Sequence, residues 1–368
     1  MPSPAAPATD RLSDLVDLIR PEVRAERAYR VATAVDRAAK LDQNESPYGL
    51  PPEIEQAAIG ALRATAWNRY PADRPHRLAA ALAERLDWPE EGLILGRGSN
   101  ELTPTVGLAF VQPGTPVVLP SPMFALYGSI VRVFGGTEVK VAPEPDFSHS
   151  ADAVIAAMHA SEAPLTVVCS PNNPTGASFA HDDLRRLAAA APGFLLIDEA
   201  YYEFIEGPTA LDVARDFPNV LVMRTFSKAM GLAGVRLGYL MGHPAIVDEL
   251  QKPRLPFLVD CVSEAMGLAM LERGDLIRER VAVLNAERVK LRAALAEIEG
   301  VETMDSSANF FIMRTPVVPA DLLAALLREG VRIRNVSGYP ELAGWVRASV
   351  GLPEENRAFL DALKRVLP

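Results

Sequence analysis

The sequence is poor in the residues that build disulfide frameworks and cysteine-rich metal sites. Its 368 residues include only two cysteines, Cys169 and Cys261, and no Cys-x-x-Cys pair. Such a count excludes a disulfide-stabilised scaffold and is typical of a reducing compartment. We therefore expect no metal site and a cytoplasmic location.

Basic residues are also few: the sequence has 37 Lys and Arg against 47 Asp and Glu, which gives a formal net charge of −10. A nucleic acid or an anionic membrane would select a basic surface, so neither is the expected partner. No apolar run approaches the length that spans a bilayer. The first nine residues, MPSPAAPAT, lack the basic start and apolar core of a secretory signal, and residues 1–10 are predicted to be a disordered tip.

The hydrophobic content of 49% predicts a sizeable core. Short, almost continuously apolar runs recur in the first two thirds of the chain, and polar residues follow each run. Such runs are typical of strands that are buried on both faces of a parallel sheet. The runs lie in GLILGRGSN, TPVVLPSP, EVKVAP, APLTVVCSPNNPTG, PGFLLIDEAYYEF and NVLVMRTFSKAMG. In sheets of this kind ligands bind beyond the carboxyl ends of the strands, where these polar residues lie.

The pattern divides the chain beyond the tip into four predicted segments. A short helix and a connecting arm take residues 11–45, and a large α/β domain takes residues 46–255. Helical periodicity dominates the stretch around 245–298, so residues 256–295 are predicted to be a linking helical region. A smaller α+β domain then takes residues 296–368.

A single lysine stands out at the end of the last apolar run. In RTFSKAMGLAGVRLG, Lys228 lies among small and hydroxyl residues. A lone lysine is usually a solvated surface residue. Here the small neighbours leave room for a flat ligand, and Thr225, Ser227 and Arg236 offer phosphate donors, a task that suits the forked guanidinium of arginine.

Three other strand ends carry polar groups that have either a structural or a chemical role. Asp198 follows the run FLLI directly, with Tyr201 three residues later; the carboxylate either caps the next helix or meets a cation. Asn173 in SPNNPTG belongs either to a rigid turn or to a site. Ser99 and Asn100 in GRGSNE open a helix, either as capping residues or as phosphate ligands.

Together these clusters predict a phosphate pocket, a carboxylate, a phenol and an amine at one edge of a sheet. Pyridoxal phosphate needs that set of groups. Its aldehyde forms a Schiff base with an amine, its ring nitrogen needs a carboxylate that keeps it protonated, and its phosphate needs hydrogen-bond donors.

The same motifs resemble those of a known enzyme family. TFSKAMGLAGVRLGY, SPNNPTG, IDEAY and LDQNESPYG are similar to motifs of the fold-type I, class-II pyridoxal-phosphate-dependent aminotransferases, in particular of the histidinol-phosphate aminotransferase group. NRYPADRPHRLAAAL and VGLPEENRAFLDAL fit the same group, so the resemblance runs from about residue 40 to the C-terminus. It implies an α/β fold, with a large domain on a mainly parallel seven-stranded sheet covered by helices and a smaller α+β C-terminal domain.

The resemblance also implies a role for each residue of the site. Lys228 would hold the cofactor through a Schiff base and move the proton, and Asp198 would pair with the pyridinium nitrogen. The other cofactor contacts implied are Ser99, Asn100, Phe124, Asn173, Tyr201, Thr225, Ser227 and Arg236. Phe124 would stack on the ring, although a packed core aromatic is an equal alternative. Tyr70 would reach the phosphate of the neighbouring subunit, which implies a homodimer.

For the substrate, the resemblance implies an anion site on two arginines. Arg347 in WVRASVG is the first, and Arg334 in VRIRN is the second. Arg332 shares the strand face of Arg334, so these two could exchange roles. Tyr48, from the N-terminal arm, would close over the substrate.

The implied reaction is a ping-pong transamination of L-histidinol phosphate with 2-oxoglutarate, which gives imidazole acetol phosphate and glutamate in histidine biosynthesis. Two alternatives share the cofactor site, namely an aromatic amino acid aminotransferase and a threonine-phosphate decarboxylase. A regulator that senses the cofactor through an aminotransferase-like domain is disfavoured, because the residues before the matched region are few and weakly basic for a DNA-binding segment.

Overall fold

The structure, a computed structural model, describes residues 8–28 and 39–368. Of the predicted tip, residues 1–7 lie outside these ranges and residues 8–10 belong to the first helix. The α-helices of the described residues are α1 (Ala8–Asp17), α2 (Pro21–Ala25), α3 (Pro52–Ala64), α4 (His76–Leu86), α5 (Ser99–Phe110), α6 (Ala125–Val133), α7 (Ala151–Ser161), α8 (His181–Ala190), α9 (Ala210–Asp216), α10 (Pro244–Gln251), α11 (Cys261–Leu271), α12 (Gly274–Ala296), α13 (Pro319–Arg328) and α14 (Pro353–Val366). None of them is long and apolar enough to cross a membrane.

A seven-stranded sheet forms the centre of the molecule. The strands of the described residues are β1 (Ala39–Lys40), β2 (Leu93–Gly96), β3 (Pro116–Pro120), β4 (Thr137–Val141), β5 (Leu165–Cys169), β6 (Phe194–Asp198), β7 (Val220–Thr225), β8 (Gly238–Met241), β9 (Glu302–Thr303), β10 (Phe310–Arg314), β11 (Val331–Arg332), β12 (Arg334–Asn335) and β13 (Trp345–Ser349). The sheet order is β2-β8-β7-β6-β5-β3-β4, and only β8 runs antiparallel to its neighbours within the described part of the chain. The predicted, mainly parallel seven-stranded sheet is confirmed.

Both faces of this sheet are covered, as the apolar runs indicated. In β6, Leu195 and Ile197 pack into the core on one face, and Leu196 packs into the core on the other. This alternation follows from the two-residue period of a strand. Helices α5, α6 and α10 contribute to the core on the Leu196 face, while α7, α8 and α9 contribute to the opposite one.

A smaller antiparallel sheet, of order β12-β13-β10-β9, lies in the C-terminal part of the chain. Strand β1 comes from the N-terminal part and pairs in parallel with β11. The stretch around 245–298 is not one long helical run but three helices, α10 to α12, and Pro253 and Pro256 lie in the first break. Proline lacks the N–H that a helix interior needs. The domain boundaries predicted from the sequence stay predictions.

Candidate active site

A cavity of about 510 Å³ lies at the carboxyl ends of β5, β6 and β7, between the large sheet and the small one. Most of the predicted site residues line it. These are Ser99, Asn100, Phe124, Asn173, Asp198, Tyr201, Thr225, Ser227, Lys228, Arg236, Arg334 and Arg347. The strand order explains this, because β5, β6 and β7 are adjacent and parallel, so the residues that follow them meet at one edge.

Lys228 follows β7 and brings an amine into the cavity. Its side chain is half-buried, and Nζ donates a hydrogen bond to the backbone oxygen of Gln43 at 3.0 Å. Burial, and then the positive charge of Arg347, lower the pKa of Lys228 to about 7. A substantial fraction of the amine is therefore neutral near neutral pH, which is the form that attacks a carbonyl carbon or accepts a proton.

Asp198 ends β6 and places a buried carboxylate in the same cavity. Its Oδ2 accepts a hydrogen bond from the Tyr127 hydroxyl at 2.8 Å, and its Oδ1 accepts one from the Ala200 N–H at 3.0 Å. Burial raises the pKa of Asp198, whereas the bond from Tyr127 lowers it. Tyr127 was not predicted as a site residue. Its position three residues after Phe124 nevertheless predicts that the two side chains lie together. Their rings meet edge to face, with centroids 6.3 Å apart.

Tyr201 contributes a buried phenol whose oxygen accepts two amide hydrogen bonds. Asn44 donates one of them from Nδ2 at 3.0 Å, and Asn173 donates the other at 3.4 Å. Burial raises the pKa of Tyr201 to about 12, so the phenol is neutral at physiological pH. Asn44 was not predicted as a site residue. Its backbone has a φ of 55°, a left-handed conformation in which asparagine is enriched. The sequence does not show that the Asn44 side chain meets the phenol of Tyr201.

The start of α5 and the turn after β7 form a cradle of hydrogen-bond donors. Helix α5 begins at Ser99, where the first N–H groups have no acceptor within the helix. Gly98 precedes it with a φ of +79°, and a Cβ at this position would lie 2.5 Å from Nη2 of Arg236. Thr225 and Ser227 complete the cradle, with their hydroxyl oxygens 3.0 Å apart. This arrangement suits a phosphate group.

Two arginines line the other side of the cavity. Arg334 in β12 lies directly opposite Arg347 in β13, so two guanidinium groups face one space. Arg347 is buried and donates to the backbone oxygen of Asp42 at 2.8 Å and to Oδ1 of Asn173. Arg332 does not line the cavity; its Nε lies 3.0 Å from a carboxylate oxygen of Asp42. Of these two candidates, which lie in different strands, the structure brings Arg334 to the site.

Two predicted site residues do not line the cavity of their own chain. The ring of Tyr48 packs under the guanidinium of Arg280, with 4.7 Å between the ring centroid and Cζ of the arginine. Tyr70 is 82% exposed, and its ring stacks on that of Phe257 with centroids 4.8 Å apart. The roles predicted for Tyr48 and Tyr70 therefore stay predictions.

The family model for aminotransferase class I and II matches residues 37–363. The chain belongs to this family. The aminotransferase is 37% identical over 350 residues to histidinol-phosphate aminotransferase from Chlorobium phaeovibrioides, an alignment that covers 95% of this chain and 97% of that relative. It is also 37% identical over 349 residues to the protein of that name from Chlorobaculum tepidum, over 95% and 100% of the two chains.

Among solved structures, the aminotransferase resembles histidinol-phosphate aminotransferase from Sinorhizobium meliloti in complex with pyridoxal-5'-phosphate. The TM-score is 0.84 at 25% sequence identity, and the match covers 94% of this chain and 96% of that one. The predicted family and fold class are therefore confirmed.

Proposed function

We propose that this aminotransferase binds pyridoxal 5'-phosphate in the cavity and transfers the amino group of L-histidinol phosphate to 2-oxoglutarate. The products would be imidazole acetol phosphate and glutamate. The observation that carries the proposal is that one cavity contains the amine of Lys228, the buried carboxylate of Asp198, a phosphate cradle and a pair of arginines. The names of the relatives support the choice of amino donor.

The residues present fit the cofactor. Asp198 would hold the ring nitrogen, because a buried carboxylate that accepts two hydrogen bonds from the described residues retains the capacity to accept another from a cation. Asn173 and Tyr201 would hold the ring hydroxyl oxygen, and Phe124 would cover the ring. When bound, the cofactor supplies an electron sink that weakens the bonds to the carbon carrying the amine.

Lys228 performs the proton transfer. Its pKa of about 7 leaves Nζ able both to take a proton from the substrate carbon and to give it back, since a catalytic pKa near the working pH serves both directions. The backbone oxygen of Gln43 accepts from Nζ and orients it. Burial, and then the charge of the Arg347 guanidinium, keep the pKa of this amine low enough for it to lose its proton.

Arg334 and Arg347 orient the substrate. Histidinol phosphate has no carboxylate, so the pair would bind its phosphate in the first half-reaction and a carboxylate of 2-oxoglutarate in the second. Anion binding determines which bond to the amine-bearing carbon would be perpendicular to the plane of the cofactor ring. This positioning selects proton loss over other reactions. The dual use explains why two guanidinium groups face the same space.

A homodimer is part of the proposal. Tyr70 is highly exposed and lies with Phe257 outside its own cavity, which is the situation expected of a residue that serves the partner's site. The cytoplasmic location expected from the composition stays a prediction.

The test is a single-turnover experiment on the purified protein loaded with pyridoxal phosphate. Histidinol phosphate, phenylalanine and phosphothreonine are mixed with it separately, and the absorbance of the bound cofactor is followed. Conversion to the amine form of the cofactor is expected to be fastest with histidinol phosphate, and Lys228→Ala is expected to slow it by about 10³-fold or more. Faster conversion with phenylalanine, or release of carbon dioxide from phosphothreonine, would support the corresponding alternative instead.

A further inference from the structure

The connection between β12 and β13, residues 336–344, forms one wall of the cavity. It joins the strands that carry Arg334 and Arg347, and Val336, Gly338 and Tyr339 within it line the cavity. The position of this connection therefore bears directly on the position of the arginine pair.

This connection reaches across the cavity to the segment that follows β3 of the large sheet. Oε1 of Glu341 accepts a hydrogen bond from the Ser121 hydroxyl at 2.7 Å. Ser121 lies three residues before Phe124, which also lines the cavity. The contact thus holds the short segment that presents Phe124.

The contact with Ser121 fixes the side chain of Glu341. The other carboxylate oxygen, Oε2, is buried with no hydrogen-bond partner among the described residues. Loss of the Ser121 hydroxyl would therefore leave this carboxylate without the hydrogen bond that holds it in place.

Apolar packing makes the connection rigid. Tyr339 packs against a buried cluster that contains Ile312, Val336 and Trp345, and the ring of Phe147, from the segment between β4 and α7, meets Trp345 edge to face at 5.2 Å. Burial also raises the pKa of Tyr339, so its hydroxyl stays neutral. A packed and hydrogen-bonded connection of this kind transmits a fixed distance between its two ends.

We propose that Glu341 is a positioning residue that, through its hydrogen bond with Ser121, sets the distance between the arginine pair and Phe124. This inference rests on the proposed function, in which Phe124 faces the cofactor ring and the arginines bind the anionic end of the substrate. The distance then selects substrates by the separation between their amine carbon and their anionic group. Loss of this contact lets the arginines shift and relaxes this selection.

The experiment uses the cofactor-loaded protein and its Glu341→Ala, Ser121→Ala and doubly substituted variants. One readout is the dissociation constant of glutarate, an unreactive dicarboxylate, and the other is the ratio of kcat/KM for histidinol phosphate to that for phenylalanine. Each single change is expected to weaken glutarate binding about 5- to 20-fold and to lower the ratio, as expected for a buried group left without its partner. The double change is expected to add little to either single change, because both remove the same hydrogen bond.

Two further variants separate positioning from packing. Glu341→Gln keeps an oxygen that can accept from Ser121, so it is expected to bind glutarate within about twofold of the native protein, whereas Glu341→Ala is expected to behave like Ser121→Ala. Tyr202→Phe removes a phenol outside the cavity and is expected to leave glutarate binding unchanged.

Native glutarate binding and an unchanged substrate ratio in both Glu341→Ala and Ser121→Ala would overturn the positioning role, even if their melting temperatures fall. If the native protein takes up no pyridoxal phosphate, the proposed function fails instead. The absorbance of the loaded protein thus distinguishes the two failures.

Discussion

The Tyr127 hydroxyl donates a hydrogen bond to Oδ2 of Asp198 at 2.8 Å, and both residues are buried. This bond favours the ionised carboxylate against the burial that disfavours it. Because Tyr127 lies 71 residues from Asp198 in sequence, the pairing depends on α6 packing against the end of β6.

Tyr127→Phe is expected to weaken pyridoxal phosphate binding about 10-fold, since a hydrogen bond to a charged group contributes more than one between neutral groups. The loss should grow as the pH falls, because the carboxylate of Asp198 then protonates more readily. Absorbance titrations of the cofactor-free protein at several pH values measure this. Tyr239→Phe, which removes another buried phenol outside the cavity, is the matched control. An equal loss at every pH would mean that Tyr127 only packs.

Gly98→Ala is expected to weaken cofactor binding about 10-fold or more. The added methyl group would meet Nη2 of Arg236 at 2.5 Å, and the φ of +79° is unfavourable for any residue with a Cβ. Gly60→Ala in α3 is the control, because a Cβ there meets nothing within 4 Å and should stabilise the helix by about 0.5 to 1 kcal/mol. Equal cofactor binding in the two variants would contradict the proposal that the start of α5 and Arg236 bind the cofactor phosphate.

Arg334→Lys is expected to lower kcat/KM for histidinol phosphate about 10- to 100-fold, because lysine cannot bind a phosphate with two parallel hydrogen bonds. Arg332→Lys is the matched change on the same stretch of chain. Its guanidinium lies beside Asp42 rather than in the cavity, so the variant should lose stability and keep a KM within about threefold of the native value. Steady-state kinetics on both variants measures these effects. A loss of kcat/KM in Arg332→Lys but not in Arg334→Lys would assign the anion site to Arg332.

Glu203→Gln is expected to stabilise the protein above neutral pH. Both carboxylate oxygens of Glu203 are buried without a hydrogen-bond partner in the described part of the chain, and burial raises the pKa to about 8. Between pH 4.5, the ordinary pKa of a glutamate, and about pH 8, the folded state therefore binds more protons than the unfolded state. The free energy of unfolding of the native protein falls as the pH rises through this window.

Urea unfolding at about pH 5 and about pH 9 measures this effect. The variant should exceed the native protein by about 1 to 2 kcal/mol at the higher pH, and the difference should shrink at the lower one. Glu206→Gln, at an exposed position nearby, should show no such dependence. A pH-independent difference in the Glu203 variant would mean that its carboxylate is not the titrating group.

The sequence was sufficient for the parts of the fold that are local in the chain. The buried strands β3, β5, β6 and β7 follow from continuous apolar runs, and the residues after them meet at one edge because the strands are parallel. Strand β8 was missed, because GYLM is short and follows a turn rather than a helix, so no alternation of helix and strand marks it. Local periodicity carries no information about such a strand.

The parts of the site that the sequence did not reveal are those made by distant residues. Asn44 and Tyr127 act through side chains 157 and 71 residues away, and nothing in their local patterns names the partner. Arg332 and Arg334 share an alternating sequence pattern, but the structure puts them in different strands. Arg332 in β11 lies beside Asp42, and Arg334 in β12 lies opposite Arg347. Tyr48 and Tyr70 lie outside the cavity of their own chain, where a single chain shows no ligand contact.

Residues 42–44 have a consequence for the order in which the protein folds. The backbone oxygen of Gln43 accepts from Lys228 across 185 residues, and that of Asp42 accepts from Arg347 across 305 residues. Arg347 in β13 is synthesised about 300 residues after this tripeptide, so the cavity cannot be completed until the chain through β13 has left the ribosome. Contacts with such separations form late, because the chain between them must be ordered first. The large sheet is thus expected to form before the chain acquires the ability to retain its cofactor.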